Sequence, residues 1–152
     1  MEMPRPTDQH RRLETLAGHW TGQETMFPSP WDPKGGTATG RNDMRIALDG
    51  FALITDYEQE RDGITTFRGH GVMTWDGKND RYVLYWLDSM GSPLEVFTGN
   101  FEGDVLTVGH GGPMHARLIY DLTRPGILRS SMEMSQDGEA WGKFFTCDYV
   151  RG

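Results

Sequence analysis

Residues 62–103 read DGITTFRGHGVMTWDGKNDRYVLYWLDSMGSPLEVFTGNFEG, and turn pairs punctuate them at strand-length intervals: Asp62-Gly63, Asp76-Gly77, Met90-Gly91 and Glu102-Gly103. Glycine supplies the positive φ that a tight hairpin turn demands, and a neighbouring Asp closes such a turn through its own side chain. Each pair therefore reads as a chain reversal, with no room between pairs for a crossover helix. The rhythm continues outward, to Asp49-Gly50 on one side and to Gly111-Gly112, Pro125-Gly126 and Asp137-Gly138 on the other. Evenly spaced hairpins predict an all-β, antiparallel up-and-down meander, which hides its edges best by closing into a barrel.

Ten strands are predicted, over Ala17–Phe27, Thr37–Leu48, Phe51–Arg61, Ile64–Trp75, Arg81–Ser89, Leu94–Phe101, Val105–His110, His115–Leu122, Ile127–Ser135 and Trp141–Val150. Before them, Thr7 to Ala17 reads as a short N-terminal helix: Thr7 caps, Asp8 suits the first turn, Leu13 and Leu16 form an apolar edge, and Gly18 follows the end. The one long connection, residues 28–36, holds Pro28, Pro30 and Pro33 and reads as a flap carrying Trp31. Connections of a meander alternate between its two ends. The flap then shares its end with the turns at Asp62-Gly63, Met90-Gly91, Gly111-Gly112 and Asp137-Gly138, the helix (7–17) plugs the opposite end, and ligand access is expected under the flap. Along the first strand Trp20, Gly22, Glu24 and Met26 share the face expected to point inward.

The 152 residues suit a single domain spanning 1–152. Five Trp, five Tyr, seven Phe and twenty Gly fit a turn-rich β protein with a bulky core. Fifteen Lys and Arg against twenty-two Asp and Glu, with no basic stripe, give a formal charge of −7 that argues against nucleic acid and anionic membranes as partners. Cys147 is the lone cysteine, so a reducing compartment is expected. No apolar run approaches a signal peptide or a membrane span, and a cytoplasmic protein is the expectation.

The run Leu16-Ala17-Gly18-His19-Trp20-Thr21-Gly22 resembles the Gly-x-Trp opening of lipocalins and their calycin relatives. Taken with Ser29-Pro30-Trp31-Asp32-Pro33, Leu48-Asp49-Gly50-Phe51, Gly69-His70-Gly71-Val72, Tyr85-Trp86-Leu87-Asp88-Ser89 and Ser135-Gln136-Asp137-Gly138, it is similar to one bacterial calycin-like group, the domain of unknown function 1579. The resemblance implies a calycin/lipocalin-like barrel with an internal pocket and with Trp20 packed across its floor. It implies no particular activity.

Several constellations invite chemistry. Tyr82 to Met90 is an aromatic strand ending in Asp88 and Ser89 at the expected open mouth, able to wall a pocket and to orient a polar group, or simply to cap a turn. His70, between Gly69 and Gly71, reads either as a proton carrier or as a satisfied core residue. Asp56, Glu58 and Glu60 alternate with Tyr57 and Gln59, which sends the acids outward and Tyr57 inward. Arg45, if internal, needs a partner, and Glu24 is the candidate. His110 and His115 flank a hairpin but fall short of a zinc set, so no metal site is expected, and haem would rest on one of His70, His110 and His115. No cofactor is identified, and the Gly-x-Ser-x-Gly and His-Glu-x-x-His patterns are absent from the sequence.

Three function classes follow. The first is a binding module for a small apolar or amphipathic ligand, with Trp20, Trp31, Tyr57 and Trp86 supplying burial and Arg45, His70 and Asp88 orienting the polar end. The second is an enzyme in which Asp88 orients His70 as acid or base toward a carbonyl or ester compound. The third is an interaction protein without a cavity, forming a homodimer through apolar outer faces.

Overall fold

A computed structural model describes residues 1–30 and 32–152. The ten strands are β1 (Gly18–Met26), β2 (Gly36–Ala47), β3 (Ala52–Arg61), β4 (Ile64–Asp76), β5 (Arg81–Asp88), β6 (Glu95–Glu102), β7 (Val105–His110), β8 (His115–Asp121), β9 (Ile127–Ser135) and β10 (Gly142–Arg151). Each pairs antiparallel with its neighbours in sequence, and β1 also pairs with β10, from Trp20 opposite Arg151 to Met26 opposite Phe145. That last ladder closes the barrel and leaves no free edge, as the hairpin rhythm predicts.

The turns follow the glycine chemistry. Asp62 (φ 53°) and Gly63 (φ 77°) both take the left-handed region between Arg61 and Ile64, the geometry of a two-residue hairpin turn that matches strand twist. The β4–β5 reversal differs in detail. Its left-handed residue is Asp80, while Asp76 holds the turn by accepting from the Lys78 amide at 3.1 Å and the Asn79 side-chain amide at 2.7 Å.

The helical segment is not one helix. An α-helical turn, α1 (Asp8–Arg11), tightens into a 3₁₀ stretch over Arg12–Leu16. Residues three apart eclipse in a 3₁₀ helix. Leu13 and Leu16 are thereby aimed together into the barrel end, and both are fully buried. The Trp20 indole N–H donates to the Leu16 carbonyl at 2.8 Å, while the Arg151 guanidinium covers the Trp20 ring at 4.4 Å. This end is a sealed floor.

Alternation sets the two faces of the wall. Trp20 and Glu24 of β1, Tyr57 and Gln59 of β3, Leu84 and Trp86 of β5, Leu106 and Val108 of β7, Leu128 and Ser130 of β9, and Cys147 and Tyr149 of β10 turn inward. Asp56 and Glu58 of β3 turn outward with Arg45 and His70. No described helix is long and apolar enough to cross a membrane.

Candidate functional site

Midway up the interior sits Glu24, fully buried. Its carboxylate accepts from the Tyr57 hydroxyl at 2.8 and 2.7 Å, from the Gln59 amide at 3.0 Å, and from the Tyr149 hydroxyl. The glycine at position 40 makes this possible, because a Cβ there would collide with the Glu24 carboxylate. Burial and the Glu24 charge push both the Tyr57 and the Tyr149 phenols well above the usual tyrosine range, so both remain donors. The same two causes push the Cys147 thiol up to about 12, which leaves it an inert core group.

Beyond this network some inward side chains are partly exposed. The Trp86 indole N–H donates to Asp88 at 2.9 Å, and the Met90 amide donates to the other Asp88 oxygen at 3.0 Å. Gly69 and Gly71 leave the space that the Trp86 ring fills. The Tyr57 ring lies 5.9 Å from that of Phe67 and 6.5 Å from that of Trp86, so three aromatics line one side. Glu95, opposite Trp86 in register, meets His110 Nε2 at 3.0 Å, and His110 Nδ1 meets the Gly111 carbonyl at 3.0 Å. Across the barrel Tyr120 (8 % exposed) and Ser130 (6 % exposed) are register partners, and neither hydroxyl forms a hydrogen bond among the described residues.

Leu13, Leu16, Leu106 and Leu128 at the plugged end are wholly buried; at the other end the Glu95 and His110 side chains are partly exposed, whereas Ala38, Ala116 and Ser135 are buried. The loop after β1 lies at this mouth. Asp32 accepts from Arg61 at 2.9 Å, tying the loop to the β3 end. Trp31, expected on that flap, lies outside the described residues.

The expected site residues divide by face. Trp20, Tyr57 and Trp86 turn inward, with Trp20 at the floor, and Asp88 sits at the end of β5, where it accepts from Trp86, caps the Met90 turn and borders the outer groove. Arg45 and His70 are on the outside, where Asp56 accepts from Arg45 at 2.9 Å and pairs with His70 Nδ1 at 2.6 Å. These two contacts hold the Asp56 carboxyl below the usual carboxylate range, His70 contributing most. The expected Arg45–Glu24 pair is thus replaced by Arg45–Asp56, because the single-residue alternation of β2 places Arg45 opposite Ile54 on the outer face. The expected His70–Asp88 pair is not formed either. Asp56 is the carboxylate that orients His70, on an outer groove of about 640 Å³ bordered also by Arg41, Arg68, Tyr57 and Asp88.

Sequence reading passed over Glu95, Tyr120, Ser130 and Tyr149. Their signal was the inward alternation of β6, β8, β9 and β10, which is hard to phase when both faces of a strand carry mixed residues. His110 and His115, considered together, separate: His110 stacks on Phe97 at 4.6 Å, and His115 lies over Gly111 and Gly138. Among the described residues no three His, Cys, Asp or Glu side chains gather as a metal set.

Fold and interior together define a closed ten-stranded antiparallel barrel, plugged at one end and apolar within except for the network around Glu24. Over residues 5–151 the chain matches the model of a protein family of unknown function, DUF1579, and it belongs to that family. It is also similar in fold to the crystal structure of Rv2717c from M. tuberculosis, with a TM-score of 0.67 and 15 % identity over 96 % of this chain and 98 % of that one. No curated protein matches the chain.

Proposed function

We propose that the protein is a binding module that holds a small amphipathic molecule inside its barrel, entering at the mouth opposite the helical plug. The observation that carries this reading is the partly exposed group of Trp86, Asp88, Glu95 and His110 at the end opposite the sealed leucines of the floor. Apolar walls with a few convergent polar groups are what a small-molecule site requires. Intact mass under native and denaturing conditions, with an absorption spectrum of the same sample, tests it directly. A retained small molecule is the expected result. An empty chain whose Trp86 emission is also unmoved by a panel of amphipathic compounds overturns the proposal, and a Soret band would name haem as the occupant.

A second reading has its own observation. Ile54, Val72, Tyr85 and Val96 form one row across the outer face of β3 to β6, with Leu87 and Leu94 exposed beside it. An apolar row of this kind suits a protein contact such as a homodimer. Sedimentation equilibrium is expected to give a dimer that Tyr85→Lys converts to monomer; a monomer at all concentrations removes this reading.

A further inference from the structure

We infer that the outer surface of the plugged end carries a binding site for a small organic oxyanion, a carboxylate or phosphate on a compact apolar body. The site lies at the opposite end from the mouth and does not depend on the binding reading given above.

A cavity of about 310 Å³ opens there between the 3₁₀ stretch, the β6–β7 turn, the β8–β9 connection and the end of β10. Three arginines line it, Arg12, Arg124 and Arg151, against one carboxylate, Asp104. Arg124 is answered by Asp148 at 2.7 Å, a carboxylate that Arg129 also uses at 2.8 Å. Arg12 and Arg151 form no ion pair among the described residues. Arg12 donates to the Gly103 carbonyl, and Arg151 donates to the Thr15 and Ala17 carbonyls at 3.2 Å each. All three of these bonds leave through Nη2 and end on neutral oxygens. A guanidinium has five N–H donors, so most of each fork is unused by the protein and both charges lack a counter-ion.

Both forks are also held in place. The Arg12 guanidinium carbon lies 4.2 Å from the centre of the Phe101 ring, and that of Arg151 lies 4.4 Å from the centre of the Trp20 ring. A stacked and anchored guanidinium has little freedom left to lose when it grips an oxyanion, and its planar fork matches carboxylate and phosphate oxygens. The wall supplies the second half of the site: Phe101 and Trp20 border the cavity together with Leu122 and Ile127. Apolar walls with a few fixed polar groups suit a ligand that is apolar at one end, and the volume is at the small end for such sites. The formal charge of −7 repels anions at a distance, but salt screens it beyond about 8 Å, so the local set of charges decides.

Phenyl phosphate and benzoate carry the two oxyanions on one ring, and benzyl alcohol is their neutral counterpart. In calorimetric titrations of the full chain up to about 10 mM, at least one of the anions is expected to bind about tenfold or more tighter than the alcohol. The order of the two anions tells phosphate from carboxylate. Arg12→Gln is expected to weaken the bound anion about fivefold or more. Asp104→Asn removes the one lining carboxylate, whose side chain forms no hydrogen bond among the described residues, and is expected to tighten the anion about threefold or more. No loss of fold can imitate that gain. An alcohol that binds as well as the anions, anions that stay unbound up to about 10 mM, or binding indifferent to either variant overturns the assignment. Neither variant touches the mouth, so these results leave the reading of the interior as it stands.

Discussion

Glu24 is accommodated inside the barrel because Tyr57, Gln59 and Tyr149 each bring a donor to it. Removing one donor strands a buried acceptor, which costs more than the hydrogen bond itself contributes. Tyr149→Phe is therefore expected to lower stability by about 1–3 kcal/mol in urea unfolding, with the fold retained. His10 is the second informative residue. Its Nδ1 accepts from the Thr7 amide at 3.0 Å and its ring packs edge-on against Phe51, while burial, and then the neighbouring Arg11 charge, lower its pKa from 6.5. A depressed folded-state pKa means that the unfolded chain binds the proton more readily, so the contribution is complete above pH 6.5 and is lost as pH falls through the folded value. Melting temperature is expected to drop more between about pH 7 and about pH 5 in the wild type than in His10→Gln, where this proton is gone.

At the scale of elements, glycines in β2 and β4 decide which large groups the wall can hold. Gly40 yields its side-chain space to Glu24, and Gly69 to the Trp86 ring. Gly69→Ala is expected to displace Trp86, shift its emission and cost about 1–3 kcal/mol, since overpacking a closed wall has no cheap relaxation. The plug acts in the opposite sense, by filling. Leu16→Ala would leave a hole under Trp20 and is expected to cost about 2–5 kcal/mol by thermal or urea unfolding. Gly69 was visible in the sequence as a glycine within a strand; what it makes room for was not, because Trp86 is brought to it by another strand.

For the molecule as a whole, closure through β1 and β10 removes the edges that a ten-stranded meander would otherwise expose. The amides of Thr21 and Thr25 at this seam are expected to exchange with deuterium as slowly as those of β3 and β4; fast exchange there would mean that the sheet opens. The closed wall also separates two chemistries. The Arg45–Asp56–His70 cluster lies on the outer face, and the Glu24 carboxylate is buried inside.

Turn pairs, strand lengths and inward alternation of β1 were legible from the residues, because hairpin geometry and the two-residue strand period are local consequences of backbone sterics. They determined the ten-stranded meander, the plugged end and the inward positions of Trp20, Glu24 and Tyr57. Only tertiary structure decided the partners. Glu24 meets Tyr149 across 125 positions of chain, and Asp56 rather than Asp88 holds His70, since a side chain's neighbours depend on strand register and closure. Register is a property of the assembled barrel, where every strand must satisfy two neighbours at once, and no single stretch of sequence carries it.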